Sequence, residues 1–185
     1  MQFGPLIMLG VGLFAGIVLM RLAALWAKYR GKRVVNCPEN QRPAGVTVDA
    51  GHAALSGVGF RPELRLSSCS RWPERAGCGQ ACLAQIEAAP EDCLVRNILV
   101  KWYEGKSCRS CGRPIGPIAA GGAKPALFTA EHTFVEWSEI PAERLQEVLS
   151  AAEPVCFGCH MACKMMLEHP ELVTDRSART VPPSR

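Results

Sequence analysis

Two Cys-x-x-Cys units, Cys108-Arg109-Ser110-Cys111 and Cys156-Phe157-Gly158-Cys159, constrain this chain more than any other feature. Two residues between cysteines is the spacing at which a tight turn aims both sulfurs at one ion, and four thiolates make a closed tetrahedral shell. Gly112 and Gly158 suit such turns, because glycine enters the left-handed backbone region without steric penalty. The 44 residues between Cys111 and Cys156 must then form structure of their own whose ends meet.

The second unit also reads Cys156-Phe157-Gly158-Cys159-His160, the attachment signature of a c-type haem, for which a nearby methionine would be the second axial ligand. The haem reading uses Cys156, Cys159 and His160 and leaves Cys108 and Cys111 without a role. The four-thiolate reading uses all four cysteines and makes His160 an ordinary first residue of the following helix. Disulfides or free thiols are the third possibility, and the compartment bears on all three.

Residues 3–19 are apolar and uncharged, and after Met20-Arg21 the run resumes to Ala27. At about 1.5 Å per helical residue the stretch 3–27 crosses roughly 30 Å of hydrocarbon, so the expectation is a transmembrane helix. Arg21 lies where its side chain can reach the headgroups, and Trp26 and Tyr29 are placed like an interfacial aromatic belt. A cleaved signal peptide would open with basic residues and close at small ones. Neither feature is evident, and the anchor is expected to be retained. Lys28, Arg30, Lys32 and Arg33 follow the run and no Lys or Arg precedes it, which predicts a cytoplasmic body. Cytoplasmic thiols stay reduced, so clustered cysteines there point to metal rather than to disulfides, and haem attachment is disfavoured. The net charge of +4 is partly juxtamembrane and fits contact with lipid headgroups. No interleaving of aromatic and basic residues indicates a nucleic-acid groove.

With 185 residues, ten of them cysteine, the chain has room for one anchor and one modest domain or two very small ones. In so small a body, metal stands in for missing core. The expected class is α+β: a single N-terminal transmembrane helix, then a small cysteine-rich, metal-stapled domain of short hairpins and helices. The expected divisions are 1–29 for anchor and basic flank, 30–104 for a first cysteine-rich subdomain, 105–168 for a second, and 169–185 for a disordered tail.

In chain order, residues 33–48 read as a hairpin, 51–59 as a Gly-rich loop and 63–67 as a half-buried strand. Cys37 and Cys69 each end an expected strand, and Cys78 and Cys82 would share one helical turn. Cys37, Cys69, Cys78 and Cys82 are therefore expected to converge as a second zinc site. Buried unligated cysteines and iron-sulfur ligation are the alternatives. Leu94, Val95, Ile98, Leu99 and Trp102 predict an amphipathic helix over about 91–103, with Cys93 a packing residue. Residues 116–125 are a flexible loop, 126–137 a hairpin with His132 exposed at its tip, 138–151 a helix and 160–168 another.

The two knuckles at Cys108, Cys111, Cys156 and Cys159 resemble zinc ribbons, and more loosely the rubredoxin arrangement in which paired Cys-x-x-Cys turns hold one iron. The resemblance covers residues 108–159. Rubredoxins usually carry Cys-Pro-x-Cys-Gly at both knuckles; here the prolines are missing and the second knuckle runs into His160.

No phosphate loop or nucleophile elbow is present, and a zinc closed by four thiolates has no open position for water. The reading is a membrane-anchored structural-zinc protein, without an enzyme signature, acting as an interaction or accessory subunit of a membrane complex, with lipid and a protein as partners. The rival is a membrane-bound electron carrier using iron, iron-sulfur or haem c. A thiol redox enzyme is a third class, weakly supported without a thioredoxin-like βαβ pattern.

Overall fold

The computed structural model describes residues 3–75, 77–119 and 121–172. It is a mixed helix and sheet protein with two units: of the described residues, those up to 102 and 138–150 form one, and those in 103–137 and 151–172 the other.

The first unit opens with helix α1 (Phe3–Tyr29). Met8–Tyr29 is long and apolar enough to cross a membrane. Val11, Leu13, Phe14, Ile17, Leu19 and Met20 are all exposed. Towards its C-terminal end the helix meets the body: Leu25 packs against the core cluster and Tyr29 is buried within it. Strands β1 (Lys32–Asn36), β2 (Pro43–Val48) and β3 (Leu66–Cys69) form an antiparallel sheet in that order. Arg33 pairs with Val46 and Thr47 with Ser68. Alternation turns Val35, Ala44, Val46, Val48 and Leu66 inward, where they meet Tyr29 and Ile86.

Residues expected to be a Gly-rich loop instead hold helix α2 (Ala50–Ser56). Asp49 caps it by accepting from the His52 amide, and Ala50, Ala53 and Ala54 give it a small buried face. Gly57 ends it, and a Cβ there would sit 2.9 Å from the Ala53 carbonyl oxygen as well as 2.7 Å from Leu25 Cδ1 of α1, so a larger residue would force the backbone to shift. Arg21 Nε donates to the Gly57 carbonyl at 3.2 Å. Gly57 is thus a packing residue, whereas a Cβ added at Gly59 would meet nothing within 4 Å among the described residues.

Short helices α3 (Trp72–Arg75) and α4 (Leu83–Ala88) follow, then α5 (Val95–Tyr103). Helix α5 begins later than the expected residue 91, because Leu94 is diverted into a bridge with Arg33 and the Cys93 carbonyl accepts from the Val34 amide at 2.8 Å. A 3-10 turn (Ala142–Arg144) and helix α6 (Leu145–Ala151) complete this unit with buried Ala142 and Leu145.

The second unit is built on a sheet of β4 (Ala126–Phe128), β5 (Phe134–Val135) and β6 (Glu153–Val155), with β4 central and antiparallel to both neighbours. The expected 126–137 hairpin is present, with His132 exposed at a φ of 59°. Strand β6 has no counterpart in the sequence reading. Helix α7 (Phe157–Glu168) starts three residues before the expected His160. Its chain continues into a 3-10 turn at Pro170–Leu172, part of the expected disordered tail; residues 173–185 lie outside the described residues.

Candidate metal centre

The first knuckle is a tight loop closed by a bridge between Ser107 and Pro114. The Cys108 amide donates to the Arg113 carbonyl and the Gly112 amide to the Cys108 carbonyl, each at 2.8 Å. Gly112 has a φ of 69°, the left-handed value expected of it. The second knuckle is different. Cys156 leaves β6 in extended conformation as the N-cap of α7, and Cys159 lies one turn into the helix. Gly158 is therefore helical, and its expected turn role does not hold.

Strand β6 joins the two knuckles. The Arg109 amide donates to the Pro154 carbonyl at 2.9 Å, the Arg109 guanidinium is ion-paired with Glu153, and it stacks over Phe128 at 4.6 Å. These contacts hold the tip of the first knuckle against the strand that delivers Cys156. As a result the four sulfurs of Cys108, Cys111, Cys156 and Cys159 all lie within 4.8 Å of one another. Zinc-thiolate bonds of about 2.3 Å in a tetrahedron put sulfurs about 3.8 Å apart. Cys111 Sγ and Cys156 Sγ are 3.9 Å apart. The donor set and its spacing fit one thiophilic ion.

Electrostatics agree with the geometry. Burial pushes the Cys108 thiol up, but backbone N–H groups of Cys156, Cys111 and Ser110 pointing at its sulfur bring it down to about 6. The Cys156 amide is 3.3 Å from that sulfur. Cys159 is pushed up to about 12, first by hydrogen bonding with the Cys156 and Cys111 sulfurs. A bound cation would favour the thiolate form of its sulfur ligands.

His160 is not among the clustered ligand atoms. It is buried, 5.8 Å from the Phe134 ring, and its amide donates to the Cys156 carbonyl. The sequence reading made it an ordinary helix residue; its packing against Phe134 was not foreseen.

The second group of cysteines gathers more loosely. Cys37, Cys69, Cys78 and Cys82 line one cavity of about 60 Å³. Among the described residues, however, only the tetrad above has three or more ligand atoms within 4.8 Å of one another, so the single-ion spacing expected here is not met. Cys78 and Cys82 do not share a helical turn, because α4 begins at Leu83 with Cys82 as its N-cap and Cys78 in the loop before it. Arg71 Nη1 donates to Cys37 Sγ at 2.8 Å. Burial and then the charges of Cys69, Cys78 and Cys37 push the Cys82 thiol up. Cys93, a packing residue as expected, lies against the core with its sulfur 3.8 Å from the Gln85 carbonyl.

No protein-family model, curated protein or solved structure matches the chain. The site itself therefore defines the class: a cysteine-rich protein with a thiolate tetrad able to bind a metal ion and an apolar N-terminal helix.

Proposed function

We propose that the chain is a single-pass membrane protein whose metal-stapled body is an interaction or accessory subunit of a membrane complex, with zinc at Cys108, Cys111, Cys156 and Cys159. The observation that carries this reading is the tetrad, with all four sulfurs within 4.8 Å. Four thiolates leave no place for a catalytic water, so the ion is structural. A unit with two-residue and three-residue strands buries little apolar surface, and the metal supplies folding free energy that the core does not.

The membrane part of the reading is supported by the exposed apolar face of α1 and by what surrounds its end. Arg21, the first charge of the helix, bonds Gly57, and close by in sequence Leu55 and Phe60 are exposed at 72% and 85%. Such side chains are stable at headgroup level beside the emerging helix. Exposed Lys28, Arg30 and Lys32 favour a cytoplasmic body. Arg33, counted with them in the sequence, is wholly buried and does not belong to that flank. A partner surface is offered by α7, which exposes Phe157, Met165, Met166 and Leu167.

The test is metal analysis of the full chain purified in detergent. Colourless protein with zinc supports the reading. Iron with visible absorption would replace it with the electron-carrier class, and a covalent haem would replace the tetrad altogether.

A further inference from the structure

We infer that Cys37, Cys69, Cys78 and Cys82 hold a second structural zinc, and that Arg71 and Trp72 serve its thiolates as hydrogen-bond donors. The four cysteines come from four places in the first unit: the turn after β1, the end of β3, the loop before α4 and the N-cap of α4. They nevertheless line a single cavity of about 60 Å³, together with Arg71 and Trp72. A zinc ion with four thiolates carries two net negative charges, and such centres are tuned by donors around the sulfurs. Both donors are present. Arg71 Nη1 lies 2.8 Å from Cys37 Sγ, and the Trp72 indole N–H is buried with no hydrogen-bond partner among the described residues. A buried donor of this kind calls for an acceptor, and a thiolate sulfur facing the same cavity is one.

The sulfurs stand farther apart than one ion requires, and the chain has the means to close them. Cys78 is carried between Gly77 and Gly79, where an added Cβ would meet nothing within 4 Å among the described residues. Glycine on both sides gives this loop wide backbone freedom, so it can bring Cys78 inward as the ion binds while Cys82, buried in the core, stays in place. As the ion binds, each thiol gives its proton to solvent and a sulfur–metal bond takes its place.

The experiment is native mass spectrometry and zinc analysis of the full chain in detergent. Two zinc ions per chain are expected, falling to one in Cys78→Ser and to one in Cys156→Ser. Arg71→Gln should keep the second ion but bind it about 10-fold more weakly, with Arg71→Lys partly restoring affinity. Should the Cys78 variant fail to fold, alkylation of wild-type protein gives an independent reading. Cys37, Cys69, Cys78 and Cys82 should be protected as a group and become reactive together on chelation, whereas Cys163 should react throughout. One zinc per chain in wild-type protein, or independent alkylation of the four, overturns the inference.

Discussion

Arg33 donates from Nη1 to the Tyr29 carbonyl at 2.5 Å and from Nη2 to the Lys28 carbonyl at 2.6 Å, while its own residue pairs across the sheet with Val46. A side chain from the first strand therefore caps the last turn of α1, where unpaired carbonyls and the negative end of the helix dipole favour a cation. Arg33 Nη1 also reaches the Gly31 carbonyl at 3.2 Å, and the residue is wholly buried. This ties the orientation of α1 to the sheet.

Arg33→Met should consequently cost roughly 3 kcal/mol, because it leaves buried carbonyls unpaired. Arg33→Lys should recover only part, since one ammonium cannot reach two carbonyls in a fixed fork. Denaturant unfolding in detergent measures both. A loss no larger than that of an exposed arginine such as Arg30→Met would refute the capping role.

How much of this was legible beforehand depends on what each residue's signal was. The tetrad was legible because Cys-x-x-Cys has one dominant physical use, and its four sulfurs do converge. The apolar helix was legible from its length alone. Arg33 was misread because a charge after an apolar run looks the same in sequence whether it faces lipid headgroups or turns back into the chain. Helix α2 was missed because Gly51 and Gly57 outweighed the Asp49 cap, and the value of small residues appears only once α1 packs on them. Strand β6 contains Pro154, which reads against a strand, yet it lies on a sheet edge where a missing N–H costs no pairing. Donors to sulfur such as Arg71 have no sequence signature.

Cys156→Ser should unfold the second unit rather than weaken one contact, since it removes a ligand at the junction of β6 and α7. Loss of the ion forfeits on the order of 10 kcal/mol in zinc-finger-like systems. His160→Ala should lower stability by about 1–2 kcal/mol through lost packing against Phe134 while leaving metal content unchanged. Metal analysis with limited proteolysis separates the two; loss of metal or of a chromophore in His160→Ala alone would favour haem.

A reporter fused at the C-terminus should give a cytoplasmic signal. In vesicles, benzoylphenylalanine replacing Leu13 or Phe60 should yield lipid adducts on illumination, whereas replacing Glu143 should not. Both Leu13 and Phe60 are exposed, and Phe60 follows the Gly57 carbonyl held by Arg21. Adducts at Leu13 without adducts at Phe60 would keep the anchor but lift the body from the surface. No adduct at Leu13 would remove the anchor.

The final prediction concerns acid. Asp49 accepts from the His52 amide at 2.9 Å and from Arg65 Nη2 at 2.7 Å, and these two partners hold its carboxyl below the usual carboxylate range. A depressed folded-state value means the ionised form is the one that stabilises. That stabilisation is fully present above the unfolded value near about 3.9 and is lost as pH falls through the lower folded value. Asp49→Asn still caps α2 but carries no charge and cannot pair with Arg65. Wild type should therefore be more stable than Asp49→Asn at neutral pH, and the gap should shrink below about pH 4, where the carboxylate begins to protonate. Acid also strips metal from thiolates, but it does so in both proteins, so the difference between their unfolding midpoints isolates Asp49. A gap that stays constant from pH 7 to pH 3, at roughly the ends of that carboxylate window, would show that the ion pair with Arg65 contributes nothing.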